Sequence, residues 1–524
     1  MLLSAFLYSL AFPPLSWRPV AWVCLVPLFL GLSRLGALGS ALLAAVWAEV
    51  ASGFVADALP HAVSTYFLQP VWVGWLFAIF IWLVTGSVYY AVFGWLHHGL
   101  RRQPRLARPL LVAAAWTACE LARGRLFTQP SIFVGNPWAL FGYSQSDFLP
   151  LVQIASWTGI YGVSFVLVAA NAALAELVEA WREGTMARRT VVGLLGQGAL
   201  PAAVAVAYGG VVLLGAPKPA EAGGAPVLLV QGDVDLGSRW KSEFYGRNLE
   251  TYLKLTTQGL SELPTRLVVW PEGALTFFLG EEPAYRARIA GTLSAFGAEL
   301  LVGGPAHQRA SRGVGPPVDH YFNSTFLLTP DGGLYGRYDK RHLVPFSEYF
   351  PFAGVDLLRR RFERVRVFDR GTRNAPLETK LGPAGILICN EAMLPEVAAE
   401  RVRAGATFLV NPSNDGWISE PAWAELMFDM VSMRAVEQRR TLLRASTSGP
   451  SGIVDAWGRV RARTPEGAPG LVLGALTPER NLSVYARVGD LFGFACAAAA
   501  LLAALGGRRK SRTNPSRAMP ESNA

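Results

Sequence analysis

Three widely separated residues of this chain have side chains that could form a nucleophile, a base and an oxyanion partner. Cys389 ends the apolar run Gly385-Ile386-Leu387-Ile388 and is followed by the polar pair Asn390-Glu391. It is the only cysteine between Pro226 and Pro478, whereas Cys24, Cys119 and Cys496 lie in long apolar segments. A thiol is mostly protonated at neutral pH, so it attacks a carbonyl only when a base removes the proton or a cation favours the thiolate. Glu272, delivered at the end of Leu267-Val268-Val269-Trp270-Pro271, suits the base. Lys340, just after Gly336-Arg337-Tyr338-Asp339, suits the cation and could also hold the oxyanion of a tetrahedral intermediate. Singly, each residue has an ordinary reading: a solvated strand cap, surface charge beside Arg341, and core packing. The six histidines are scattered, and no zinc-ligand spacing, phosphate loop or basic-aromatic ladder occurs. No metal, cofactor or nucleic-acid partner is therefore expected.

Positioning these groups falls to residues 226–478, which read as one layered α/β domain. Strands are expected at Pro226–Val230, Arg266–Trp270, Leu300–Gly304, Phe326–Thr329, Leu334–Tyr338, around Ile386, at Phe408–Val410 and at Leu442–Ala445. Asp331-Gly332-Gly333 makes a hairpin turn. Helices are expected over Trp240–Leu263, Glu396–Ala404 and Pro421–Gln438. Glu272 and Cys389 each follow a strand, and ligands of α/β sheets gather beyond strand carboxyl ends.

The remainder is apolar. The 524 residues are 52% hydrophobic and 16% charged, with a mean hydropathy of +0.29. Many basic residues of the +10 net charge flank hydrophobic stretches, the pattern of an integral membrane protein. Eight spans are expected: Leu2–Leu15, Ala21–Leu35, Leu38–Ala56, Val71–Leu96, Pro109–Leu121, Leu151–Trp181, Val191–Leu214 and Leu491–Leu505. Arg34, the Arg101–Arg108 cluster, Arg182 to Arg189 and the basic stretch after Arg508 fall on alternate loops. The positive-inside rule makes that side cytoplasmic, which puts both termini inside and the α/β domain outside. The division is then 1–215 for seven transmembrane helices, 226–478 for the external domain, 487–507 for a last transmembrane helix, and 508–524 for a basic, disordered tail.

Taken together, Trp270-Pro271-Glu272, Lys340 and Cys389-Asn390-Glu391 resemble the Glu-Lys-Cys arrangement of the nitrilase superfamily. The stretch Tyr338 to Phe352, Asn411-Pro412-Ser413-Asn414-Asp415-Gly416-Trp417, and Asn136-Pro137-Trp138 with Gly142-Tyr143-Ser144-Gln145 resemble motifs of its membrane-bound branch, the bacterial apolipoprotein N-acyltransferases. That resemblance implies an αββα sandwich facing the periplasm from the inner membrane. It also implies a phospholipid acyl donor, a diacylglyceryl apolipoprotein acceptor, and a thioester on Cys389. Glu272 would be the base, and Lys340 with the backbone N–H of Asn390 the oxyanion partners. Glu348 and Glu391 match supporting acidic positions and by charge could orient Lys340. Trp240, Trp417, Trp138 and Tyr349 are the substrate-binding candidates, and a lid is expected to carry Trp240 or the Pro345–Phe352 loop. The chain departs from the usual pattern at Asn390, commonly aromatic, and at Gly273, commonly a small hydroxyl residue or alanine. A monomer is expected. Two alternatives remain, a membrane-tethered amidase acting on a small amide and a transporter or receptor with an external ligand domain.

Overall fold

The computed structural model describes the chain except residues 56–57, 127–135, 218–222, 235–243, 311–317, 346, 350–366, 419 and 513–524, with backbone alone at 310 and 507–512. Among the described residues, four helices are long and apolar enough to cross a membrane: Ala37–Phe54, Val71–Leu100, Ile160–Arg182 and Arg188–Leu214. They correspond to four of the eight expected spans. The first two expected spans form helices shorter than a crossing needs, with Pro13-Pro14 past the end of the first helix and Pro19 before the second. Leu2–Leu10 has 9 residues and Val26–Leu32 only 7, against the roughly 20 that a bilayer requires. Arg108–Leu126 is long enough but carries Arg108, Glu120, Arg123 and Arg125. The expected Leu151–Trp181 span opens instead as two single turns, Leu149–Val152 and Ala155–Thr158. Gly159, at a φ of 65°, then starts the continuous helix. Helices Ala37–Phe54 and Val88–Leu100 cross closely at Gly94, where a Cβ would come within 2.2 Å of the Ser40 carbonyl; small residues permit such backbone contact.

The second half holds twelve described strands in two six-stranded sheets. They are β1 (Ala225–Gln231), β2 (Leu267–Val269), β3 (Glu299–Ala310), β4 (Val318–Leu328), β5 (Leu334–Asp339), β6 (Leu377–Thr379), β7 (Gly382–Ile386), β8 (Phe408–Ser413), β9 (Leu442–Ser446), β10 (Gly452–Val454), β11 (Val460–Arg463) and β12 (Gly470–Leu476). One sheet runs β12-β1-β2-β3-β4-β5 and the other β11-β10-β9-β8-β7-β6. Each has a parallel centre, β1-β2-β3 and β7-β8-β9, flanked by antiparallel strands. Period-two alternation sorts the apolar side chains. Val227, Leu229, Val269, Ile386, Val410 and Leu443 meet in the core between the sheets. Leu228, Val230 and Val268 face the helix layer of Tyr245–Glu262 and Pro283–Phe296. Leu409 and Leu442 pack under Pro395–Arg403 and Pro421–Gln438, whose apolar cluster continues without a break into the membrane helices. The sandwich is thus seated on the helical half through one of its own helix layers.

Candidate active site

Glu272, Lys340 and Cys389 each follow a strand of this sandwich, β2, β5 and β7. Trp270 pairs with β3 through its N–H and the Leu301 carbonyl at 2.8 Å, and its indole donates to Thr256 Oγ1 at 2.9 Å. Glu272 therefore arrives on a fixed strand end. Gly303 lets β3 pass beneath it, since a Cβ there would stand 2.5 Å from Glu272 Cα. Gly273 adopts a φ of 69°, the left-handed region that glycine enters without penalty. Cys389 itself has a φ of 49° and opens a short 3-10 turn, Cys389–Met393. Positive φ at a non-glycine residue is uncommon, and here it turns the thiol sharply off the line of β7.

Lys340 is 1% exposed and sits between two carboxylates. Its Nζ lies 3.3 Å from Glu272 Oε1 and 2.8 Å from Glu348 Oε2. Asn323 joins the same group, its Nδ2 donating to Glu272 Oε1 at 2.7 Å and to Glu348 Oε1 at 2.6 Å. The other Glu272 oxygen accepts the Asn414 backbone N–H at 2.9 Å. Burial raises the Glu272 carboxyl above its usual range, and Glu348 adds to this, while Lys340 and Asn323 oppose it. Burial alone would lower Lys340, but Glu272 and Glu348 outweigh it and hold the ammonium charged. Burial also raises the Cys389 thiol, Glu272 raises it further, and Lys340 pulls it down. The resting thiol is therefore neutral, beside a carboxylate made more basic than usual.

Glu391 does something other than charge alone suggested. Its oxygens accept the backbone N–H of Arg341 at 2.9 Å, of His342 at 3.2 Å and of Ile388 at 2.9 Å. They also accept the Tyr338 hydroxyl at 2.8 Å. Glu391 thus ties the Lys340 loop to the Cys389 turn, whereas the carboxylates on the ammonium are those of Glu272 and Glu348. Asn390 reinforces the tie, donating from Nδ2 to the His342 carbonyl at 3.0 Å. Asn411 Nδ2 donates to the carbonyls of Leu387, at 2.6 Å, and Cys389, at 3.2 Å. Arg444, fully buried, holds Asn411 and Asp415 in turn.

Two family models divide the chain between them. The apolipoprotein N-acyltransferase N-terminal domain matches residues 4–173, and the carbon-nitrogen hydrolase matches residues 231–483. An apolipoprotein N-acyltransferase of Geobacter metallireducens is 35% identical over 520 residues, 97% of this chain and 95% of that one. The chain belongs to the apolipoprotein N-acyltransferase family. The family's protein from Bradyrhizobium diazoefficiens is 30% identical over 83% of this chain and 82% of its own. Residues 231–483 thus form a nitrilase-like fold of two sheets, on an N-acyltransferase N-terminal domain rich in apolar helices.

The aromatic candidates of this N-acyltransferase separate. Trp138 stacks on Trp423 at 5.3 Å between centroids, and Trp417 meets Trp423 at 6.2 Å and Tyr66 at 6.4 Å. These four rings bring together the helical half, the loop before Gly142 and the sandwich. Tyr349 lies instead under Arg370, 5.4 Å from the guanidinium carbon. Trp240, and the expected lid at Phe346 and from Phe350 through Phe352, lie outside the described residues. Asn323 was missed by sequence reasoning. Its signal was the polar run Asn323-Ser324-Thr325 inside a strand, at most 9% exposed at each position.

Proposed function

We propose that this chain moves an acyl chain from a membrane phospholipid to the N-terminal α-amine of an S-diacylglyceryl-cysteine apolipoprotein, through a thioester on Cys389. The observation that carries this reading is the single ammonium of Lys340 held by two buried carboxylates beside a neutral thiol. In the first step the Cys389 sulfur bonds to the ester carbonyl carbon while Glu272 accepts the thiol proton. That transfer neutralises Glu272 as negative charge grows on the carbonyl oxygen. Lys340 then has one carboxylate fewer to satisfy, so its field is directed to the oxyanion when it is needed. The Asn390 backbone N–H is the proposed second donor. Collapse breaks the ester C–O bond, and Glu272 returns its proton to the leaving alkoxide, releasing lysophospholipid. In the second step the acceptor amine attacks the thioester, Glu272 takes its proton, a C–N bond forms, the C–S bond breaks, and Glu272 passes the proton to the departing Cys389 sulfur, which restores the thiol. Glu348 keeps Lys340 charged throughout.

Both substrates are held in a bilayer, so the site must be held there too. Helix Pro421–Gln438 provides this seat: Arg434 donates to the Tyr143 hydroxyl at 3.0 Å, and Glu437 accepts the Ile160 N–H at 2.9 Å. A small-amide hydrolase has no use for such a seat, and neither does a bare ligand receptor for the catalytic cluster. We infer further that the chain is a monomer in the bacterial inner membrane. It would cross eight times with both termini cytoplasmic and the sandwich periplasmic, the shorter helices completing crossings within the bundle. Trp138, Trp417, Trp240 and Tyr349 are the proposed substrate contacts. The test is incubation of the protein in phospholipid vesicles with a diacylglyceryl-cysteine lipopeptide. The lipopeptide should gain one acyl mass on its α-amine. Release of free fatty acid with no change in the lipopeptide would sink the transfer reading.

A further inference from the structure

The helical half contains a second charged site, far from Cys389. Ile160 touches the sandwich through Glu437, and from there the helix runs to Arg182. At 1.5 Å per residue, Glu176 lies about 24 Å and Glu183 about 34 Å farther along that axis, roughly one bilayer thickness. At that far end is a cavity of about 590 Å³ lined in part by Arg101, Arg102, Arg105, Arg108, Glu176 and Glu183. Its size falls within the range of small-molecule sites, roughly 300–1,000 Å³.

Its charges do not cancel. Glu176 accepts from Arg105 at 3.1 Å and Arg108 at 3.3 Å, and Glu183 accepts from Arg105 at 2.7 Å. Glu179, the remaining acid on the wall, is 3.6 Å from Arg182, which stands outside the lining. Three carboxylates are thus matched by Arg105, Arg108 and Arg182. Arg101 and Arg102 are left without a carboxylate partner among the described residues. Arg101 spends one nitrogen on the Leu35 carbonyl at 2.7 Å, and Arg102 is exposed. His97, on the same wall and 7% exposed, has a buried Nδ1 with no hydrogen-bond partner.

The geometry points to a site for a phosphate-bearing anion, the headgroup of an anionic phospholipid in the leaflet opposite the catalytic domain. Arg101 and Arg102 would supply the charge. Guanidinium forks suit phosphate oxygens, and the cavity opens where a headgroup would lie. This site takes no part in acyl transfer.

The test uses the full-length protein released from phosphatidylglycerol or phosphatidylcholine nanodiscs into native mass spectrometry. The catalytic side also binds phospholipid, so the informative quantity is the difference between wild type and Arg102→Glu. Wild type should retain one more phosphatidylglycerol than the variant, with occupancy lower in the variant by about tenfold or more. Phosphatidylcholine should show a smaller difference. Arg189→Glu reverses an exposed charge near Arg182 that does not line the cavity, and it should behave as wild type. Soluble glycerol phosphate is offered in a separate arm. Binding of it that Arg102→Glu abolishes, without retained lipid, would keep the site and assign its ligand to the aqueous phase. Equal retention by wild type and Arg102→Glu in both arms, or equal loss in Arg189→Glu, would overturn the proposal.

Discussion

Replacing Glu348 by Gln removes one negative charge from the catalytic cluster while keeping the shape of the side chain. Asn323 Nδ2 bonds one oxygen of each carboxylate, at 2.7 and 2.6 Å, so those oxygens lie close together. At a separation of about 5 Å and an effective dielectric of about 20, two unit charges repel by about 3 kcal/mol. That repulsion adds to the upward pressure that burial puts on the Glu272 carboxyl. Glu272 must be ionised to accept the thiol proton, so acylation fails as pH falls through its pKa. Removing Glu348's charge lowers that pKa, and the acidic limb of the rate profile moves to lower pH. The assay is single-turnover formation of the acyl adduct from phospholipid vesicles, followed by intact mass between pH 4 and 8. A limb that stays in place, or moves up, would refute the assignment of Glu272 as a base coupled to Glu348.

Gly303→Ala would place a methyl 2.5 Å from Glu272 Cα. It should cost about 1–3 kcal/mol of stability by overpacking and slow adduct formation at least about tenfold by displacing the base, read from thermal unfolding and single-turnover rates. Glu391→Ala would strip the acceptor from three backbone N–H groups and the Tyr338 hydroxyl. A loss of about 3 kcal/mol or more is expected, and an unchanged melting temperature would show that Glu391 does not hold the two loops together. Glu396, buried with both oxygens unpartnered, has its carboxyl pushed up by burial and then by Asp490 to about 7. A raised carboxyl holds its proton in the fold after the unfolded chain has lost it, so its contribution falls as pH rises from about 4.5 to about 7. Glu396→Gln should flatten the pH dependence of the melting temperature over that window, and stabilise the protein by up to about 3 kcal/mol at pH 8.

The sequence was most readable where one residue type had one structural solution. Helix Pro421–Gln438 was bounded correctly because Pro421 suits a first turn. The Asp331-Gly332-Gly333 hairpin followed from Gly332, whose φ is 75°. Strands β10 and β11, with 3 and 4 residues, were too short to show a period, as was β6 with 3. Strand β12 carries two glycines that break its apolar alternation. In the site, strand ends placed Glu272 and Cys389, but side-chain direction is set by packing. Charge therefore suggested that Glu391 and Glu348 play one role, whereas Glu391 faces backbone N–H groups and Glu348 faces Lys340. The polar run Asn323-Ser324-Thr325 marks a special strand, but only the β4-β5 pairing shows its partner, since it carries Asn323 to Lys340 through a backbone bond of 2.8 Å.

Intact-protein mass spectrometry after exposure to phospholipid vesicles tests the central claim most directly. Wild type should gain one acyl mass, removed by hydroxylamine and discharged by a lipopeptide amine. Cys389→Ala should gain none. An alanine variant that still transfers acyl chains, or a wild-type protein that transfers them with no thioester on Cys389, would contradict the account.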